Sequence, residues 1–212
     1  MHQKQKVPSV VSAPLAPVRP EKLEKHGHTR VDPYYWLNQR DNPEVIDYLK
    51  AENDYTDALM ADRKQMEDEL FEEIKGRIKQ ADLSVPYKLD DYYYYTRFEE
   101  GKEYPIFCRK KKSLEAVEHV MLDANVLAQG HEYFAVGGMA ISFEQNILAY
   151  AYDTQGRRTY TIRCKDLCTG ELLLDTISGV TGNMTWANDN RTLFYAKQDP
   201  VTLRSYQICR HI

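Results

Sequence analysis

The sequence predicts a mainly β protein: a partial β-propeller preceded by an N-terminal helical segment. A tyrosine–any residue–isoleucine phrase occurs at Tyr104–Ile106, Tyr160–Ile162 and Tyr206–Ile208, with spacings of 56 and 46 residues. A repeat of about 45 residues made of short strands and turns is typical of propeller blades. Apolar residues recur at helical spacing before about residue 80 and alternate after it, which predicts a domain boundary there.

The first thirty residues are predicted to be a flexible, proline-rich tail. Four prolines fall within residues 1–20, with few large apolar residues between them. This composition does not resemble the core of a signal peptide, and no stretch of the chain is long and apolar enough to span a membrane. The sequence therefore predicts no membrane association and a cytoplasmic location.

Residues 31–80 are predicted to form a helical segment. Trp36 and Leu37 lie in an aromatic cluster and are expected to anchor the segment on another domain. Asn42 followed by Pro43 is a typical helix start, and two amphipathic helices are predicted over about residues 42–75. The apolar stripe of the second helix consists of Met66, Leu70, Ile74 and Ile78, with Phe71 beside it.

Residues 81–212 are predicted to form the incomplete propeller, roughly its first three blades. A hairpin is expected over residues 92–109, followed by an irregular or partly stranded insertion over residues 113–139. Four strands are then predicted at residues 139–143, 147–153, 160–166 and 171–174, and four is the strand count of a propeller blade. A further blade is expected to begin at Met184.

The chain carries no catalytic, cofactor-binding or metal-binding motif. No serine lies in a Gly-x-Ser-x-Gly elbow, and Cys164 and Cys168 have no matching pair at zinc-ligand spacing. We expect the four cysteines to be reduced. The basic run Arg109–Lys112 is expected to be a solvated hairpin end, because one short patch on a chain of net charge −4 does not make a nucleic-acid surface. The sequence therefore predicts no cofactor and no nucleic-acid partner.

Several stretches match a known family. They are residues 30–37 (RVDPYYWL), 42–53 (NPEVIDYLKAEN), 76–80 (GRIKQ), 92–112 (YYYYTRFEEGKEYPIFCRKKK), 156–171 (GRRTYTIRCKDLCTGE) and 186–195 (WANDNRTLFY). Through them the chain resembles the oligopeptidase B group of the prolyl oligopeptidase family of serine peptidases. The resemblance covers about residues 18–212.

The resemblance implies a two-domain peptidase in which a seven-bladed propeller caps an α/β-hydrolase domain. It also implies hydrolysis of short peptides after Lys or Arg, with the propeller side selecting substrates by size and the helical segment docking on the hydrolase domain. The Ser-Asp-His triad of such enzymes belongs to a C-terminal half that this sequence lacks. No catalytic residue is therefore transferred, and the chain is predicted to be inactive alone.

A second hypothesis remains open at this stage. The chain could be a free-standing propeller-like interaction or scaffold module without catalytic activity. The helical stripe argues against this hypothesis, because the chain has no local segment of matching size to cover it. Several large apolar side chains left exposed would offset the marginal stability of a domain, so the isolated chain is expected to be poorly stable or to self-associate.

Overall fold

A computed structural model describes residues 12–212; the first part of the predicted tail, residues 1–11, lies outside the described residues. The chain separates into two compact units, and the division falls between Ile78 and Lys79.

The first unit begins with a β-hairpin. Strand β1 (Glu21–Lys25) pairs antiparallel with strand β2 (His28–Asp32). The turn places His26 and Gly27 at φ of 54° and 76°, the left-handed region that glycine adopts without strain. The prediction of a flexible tail over residues 1–30 is therefore wrong for residues 21–30. These residues pair through their backbones around a tight turn. Their side chains are mostly polar and exposed, so no alternating pattern predicted the strands.

Trp36 is buried within the first unit. It lies in a short 3-10 helix (Tyr35–Asn38) and is 5% exposed. Its indole Nε1 donates a hydrogen bond to the carbonyl oxygen of Pro17 at 2.9 Å, and the guanidinium of Arg19 lies 4.6 Å from the ring centroid. The expectation of an anchor on another domain is wrong for Trp36, since the indole is covered and hydrogen-bonded by its own chain. For Leu37, which is partly exposed, it stays a prediction.

Two helices complete the first unit and confirm the helical prediction. Helix α1 spans Pro43–Met60 and helix α2 spans Lys64–Gly76, with a 3-10 turn (Ala61–Arg63) between them. The side chain of Asn42 accepts a hydrogen bond from the backbone N–H of Glu44 at 3.0 Å. This contact satisfies one of the free N–H groups at the start of α1.

The second unit consists of two antiparallel sheets. The first sheet contains β3 (Tyr87–Leu89), β4 (Tyr92–Arg97), β5 (Ile106–Lys111) and β6 (Glu118–Asp123), paired in chain order. A short helix α3 (Ala124–Leu127) follows. The second sheet contains β7 (Ala135–Ile141), β8 (Ile147–Asp153), β9 (Tyr160–Asp166), β10 (Leu172–Trp186), β11 (Leu193–Gln198) and β12 (Ser205–His211). The structure changes two predicted boundaries. The predicted insertion over residues 113–139 contains β6, and the strand predicted at residues 139–143 is β7, which begins at Ala135.

Strand β10 belongs to two blades. Its first part pairs with β9 and its second part pairs with β11, and Val180 is paired with both Tyr160 and Lys197. The separate strands predicted at residues 171–174 and from Met184 are therefore parts of one strand of 15 residues. The sequence did not predict one continuous strand, because glycines often mark turns. Here the backbone passes through Gly179 and Gly182 without a turn. The unit thus contains two four-stranded blades and three strands of a third.

The repeated phrase occupies the same place in the last two blades. Ile162 pairs with Ala151, and Ile208 pairs with Ala196. The first copy is displaced, because Ile106 begins β5 opposite Arg97. The repeat therefore identifies the blades but marks a shifted position in the first one.

Strand β8 is buried on both faces because it lies between two packed layers. Leu148 and Tyr150 pack with Tyr94, Met121 and Leu122 of the first sheet. The other face of β8 and the adjacent residues of β9 pack against β10 and β11. This cluster consists of Ala149, Ala151, Ile162, Cys164, Val180 and Leu193. This face-to-face packing of successive sheets is the arrangement of propeller blades.

Glycines bring the inner strands of the second and third blades into contact. A Cβ atom on Gly138 would lie 2.0 Å from the carbonyl oxygen of Gly182, and one on Gly182 would lie 2.7 Å from the carbonyl oxygen of Gly137. Beside this contact, Trp186 Nε1 donates to the carbonyl oxygen of Ala140 at 3.0 Å. Only glycine fits where two backbones approach this closely.

Candidate functional site

Within residues 12–212, no group of three or more His, Cys, Asp or Glu side chains is arranged to hold a metal ion. No helix in this part of the chain is long and apolar enough to cross a membrane. The chemical features of the described residues are buried polar groups and exposed apolar faces.

A buried arginine lies at the junction of the two sheets. Arg109 is 2% exposed; its Nε donates to His119 Nδ1 at 3.1 Å and its Nη1 donates to the carbonyl oxygen of Gln145 at 2.5 Å. The Tyr92 ring lies 4.2 Å from the guanidinium. The expectation that Arg109–Lys112 is wholly solvated is wrong for Arg109, because its β5 position faces the second sheet.

Gln145 extends this contact into a network between the blades. The Tyr94 hydroxyl donates to Gln145 Oε1 at 2.8 Å, and Gln145 Nε2 donates to Asp90 Oδ2 at 2.8 Å. Burial, together with the positive charges of Arg109 and Lys165, lowers the pKa of the neighbouring imidazole of His119. A neutral imidazole can accept the hydrogen bond of Arg109. The network therefore fixes the first blade against the second.

The opposite face of the first sheet carries an open groove of about 450 Å³. Its lining consists of Leu83, Pro86, Tyr95, Arg97, Lys110, Leu114 and Glu118. The Tyr95 hydroxyl donates to Glu118 Oε2 at 2.5 Å, and Arg97 Nε donates to Glu118 Oε1 at 3.0 Å. Burial raises the pKa of Glu118, but the hydrogen bonds from Tyr95 and Arg97 outweigh it, so the pKa lies below its ordinary value.

Two further apolar faces are exposed. Helix α2 has no buried residue, and its stripe Met66, Leu70, Phe71 and Ile74 is 56%, 47%, 60% and 59% exposed. In the third blade, Phe194, Tyr206 and Ile208 lie on the side opposite the buried Leu193 and are 38%, 64% and 83% exposed. Faces of this kind mark interaction surfaces.

The other motifs considered in the sequence do not come together. Cys164 is buried in β9 whereas Cys168 is exposed in the following turn, and the cysteines of the described chain are free. Burial raises the pKa of Cys164 to about 11, as expected for a thiol packed in a core. His28 begins β2 next to the hairpin turn. The sequence did not identify the Arg109 network; its one signal was an arginine within a strand opposite the tyrosine run.

The packed antiparallel sheets define the chain as part of a β-propeller domain. Residues 15–212 match the family described as "Prolyl oligopeptidase, N-terminal beta-propeller domain". The chain therefore belongs to the prolyl oligopeptidase family.

Relatives of this family share most of the chain. It is 45% identical to dipeptidyl aminopeptidase BI from Pseudoxanthomonas mexicana, over 98% of this chain and 30% of that protein. It is 36% identical to protease 2 from Moraxella lacunata, over 93% of this chain and 30% of that protein. The structure of oligopeptidase B from Leishmania major matches with a TM-score of 0.86 and 31% identity, over 95% of this chain and 31% of that chain. The chain thus spans about 30% of the length of these curated relatives.

Proposed function

We propose that the chain is the N-terminal, propeller-side part of a serine-type oligopeptidase that hydrolyses short peptides. The observation that carries this proposal is the match of residues 15–212 to the propeller domain of a peptidase family. The described residues contribute blades, helices and exposed faces. The nucleophile, general base and oxyanion hole of such a reaction would be contributed by the rest of a longer protein.

We further propose that helix α2 docks on the catalytic α/β-hydrolase domain. The stripe Met66, Leu70, Phe71 and Ile74 is about half exposed in each member, and burying a large apolar side chain is worth about 1.5–3 kcal/mol. Because each of these side chains is already about half covered, burying the rest is worth roughly half of that figure per residue, which favours docking of the stripe on an apolar partner surface. Alternating ion pairs such as Lys64–Asp68 and Lys75–Glu72 keep the remaining surface of the helix soluble.

Size selection is proposed as the role of the propeller. The Gly137–Gly138 and Gly182 contact brings two inner strands to van der Waals distance, and the Arg109 network ties the preceding blade to them. Inner strands held this tightly would leave a narrow opening at the centre of a closed ring. Such an opening admits short peptides and excludes folded proteins without reading their sequence.

Cleavage after Lys or Arg is proposed as the specificity, by similarity to oligopeptidase B. A second candidate is removal of dipeptides from a free N-terminus, which the 45% identity to dipeptidyl aminopeptidase BI favours. The two activities differ in whether the substrate needs a free amino group. Peptides blocked at the N-terminus therefore distinguish them.

The test uses the whole gene product purified from its own cells. It is assayed on a blocked fluorogenic peptide ending in Arg, on the same peptide with a free N-terminus two residues from the scissile bond, and on a folded protein containing the same site. Cleavage of the blocked peptide but not of the folded protein is the expected result. Cleavage of the free peptide alone would assign the dipeptidyl activity. Absence of any hydrolysis would support the scaffold hypothesis and contradict the proposal.

A cytoplasmic location is part of the proposal and is tested by cell fractionation. The gene product should follow cytoplasmic markers. Recovery with a membrane or secreted fraction would contradict this assignment.

A further inference from the structure

His119 holds part of the junction between the first and second blades. It lies directly opposite Arg109 in the β5–β6 pair, and Arg109 Nε donates to its Nδ1 atom at 3.1 Å. The same guanidinium is 2% exposed and donates to the carbonyl oxygen of Gln145 in the β7–β8 turn. An imidazole nitrogen accepts a hydrogen bond only while it carries no proton. The junction therefore depends on a His119 side chain that is unprotonated at Nδ1.

The surroundings of His119 are basic. Lys165 reaches the junction from β9, and its Nζ atom donates to the carbonyl oxygen of Met121 at 3.0 Å. Burial lowers the pKa of His119, and the positive charges of Arg109 and Lys165 lower it further. Within residues 12–212, the hydrogen bonds that Arg109 and Lys165 donate go to an imidazole nitrogen and to backbone carbonyl oxygens. A proton on His119 would therefore add a third positive charge to a site whose hydrogen bonds are made to neutral groups.

The other titratable groups at the junction are engaged elsewhere. The hydroxyl of Tyr94 donates to Gln145 Oε1, and burial raises its pKa, so it stays neutral. The carboxylate of Asp90 accepts a hydrogen bond from Gln145 Nε2. Glu118 precedes His119 in β6 and lines the groove on the opposite face of the sheet. None of these groups donates to or accepts from the imidazole.

We propose that His119 is an acid-sensitive latch: its protonation releases Arg109 and opens the junction between the first and second blades. A solvent proton bound at Nδ1 occupies the lone pair that accepts the Arg109 N–H, and it leaves that buried N–H without a partner. The imidazolium also lies beside two cations, and like charges in a partly buried site repel. Opening the junction exposes the three groups to water and relieves both costs. The latch does not depend on the proposed peptidase activity.

The direction of the pH dependence follows from linkage between protonation and opening. The pKa of His119 in the closed junction lies below the ordinary value of 6.5, so closure is fully favoured above pH 6.5 and weakens as the pH falls from there through the lower pKa of the closed form. At pH 5 an imidazole in water is about 30-fold more often protonated than neutral. The ratio of open to closed junctions should therefore rise by at least about fivefold, and by up to about 30-fold, between pH 8 and pH 5.

The test measures opening at Met121, which is 3% exposed and packs between the two blades. The whole gene product carrying Met121→Cys is treated at pH 8 and at pH 5 with a pyridyl disulfide, a reagent that also modifies thiols in weak acid. Peptide mass spectrometry gives the rate at each cysteine, and each rate is divided by that of a short unfolded peptide at the same pH. The corrected rate at position 121 should rise at least about fivefold in acid. The corrected rate of Cys164, which packs against the third blade, should change by less than about twofold.

Two variants in the same background separate the latch from a general effect of acid. His119→Gln retains an acceptor for Arg109 but does not titrate, so the acid response at position 121 should fall below about twofold. His131→Gln is the matched control, because the natural imidazole stacks on Phe134, and it should keep the full response.

A third variant keeps the proposal testable even if His119→Gln does not fold. Lys165→Met retains His119 and removes one neighbouring charge, so the pKa of His119 rises and the acid response should become at least about twofold smaller. An acid response that persists undiminished in His119→Gln or Lys165→Met would overturn the proposal. An equal response at Cys164 would overturn it as well, since acid would then loosen the whole propeller and not this junction. The absence of any acid response at position 121 would do the same.

Discussion

The contact between the inner strands of the second and third blades gives a prediction of defined size. Replacing Gly138 by Ala would place a Cβ atom 2.0 Å from the carbonyl oxygen of Gly182, where ordinary contact begins at 3.4 Å. The obstacle is backbone, so the strands must separate. An extra methyl group without room costs about 1–3 kcal/mol, and stiffening of the unfolded chain by alanine returns about 0.4–1 kcal/mol.

We therefore expect Gly138→Ala to lower the free energy of unfolding by about 1–2 kcal/mol. The assay is urea denaturation of the whole gene product followed by tryptophan emission, because Trp186 lies beside the contact. Gly76→Ala is the control: no atom lies within 4 Å of its Cβ position, and alanine at this helical residue should stabilise by about 0.5–1 kcal/mol. Equal stabilities of Gly138→Ala and the natural protein would refute the close approach.

Three further predictions concern buried and partly buried polar groups. Arg109→Met should lower the free energy of unfolding by about 2–3 kcal/mol, because it leaves a buried carbonyl without its donor, whereas Lys111→Met should change it by less than about 0.5 kcal/mol; similar urea midpoints for both would contradict the network. Because the folded pKa of Glu118 is lowered, its ionised form stabilises the fold above the unfolded pKa of about 4.3, and this stability is lost as the pH falls through the folded value. Glu118→Gln should therefore be less stable than the natural protein at pH 7 and equally stable near pH 3. Thermal melts in which the variant and the natural protein differ in melting temperature by the same amount at both pH values would contradict this. Iodoacetamide should modify exposed Cys168 well before Cys108, because burial raises the pKa of the Cys108 thiol to about 12; peptide mass spectrometry reads the order, and prior modification of Cys108 would be the contrary outcome.

The sequence predicted the elements whose signals are local. Asn42 and Pro43 identified the start of α1 because a cap acts on adjacent backbone groups. The alternating pattern identified β4, β8 and β9 within one or two residues of their bounds. The repeat identified the blades because each one places equivalent side chains at equivalent positions.

Features that depend on distant contacts were missed. The hairpin around Gly27 has polar, exposed strands and gives no alternation. The close approach at Gly137 and Gly138 was not predicted, because it depends on Gly182 from another blade. Arg109 was assigned to solvent from its basic neighbours, although the register of β5 turns its side chain toward Gln145.

The central claim is that this chain is the propeller-side part of a serine peptidase. The direct measurement is to label cell extract with a fluorophosphonate probe for active serines, capture the product with an antibody to residues 12–212, and determine its intact mass. We predict one labelled polypeptide about three times the length of this chain, as its 30% coverage of the relatives indicates. An unlabelled product of 212 residues would contradict the account.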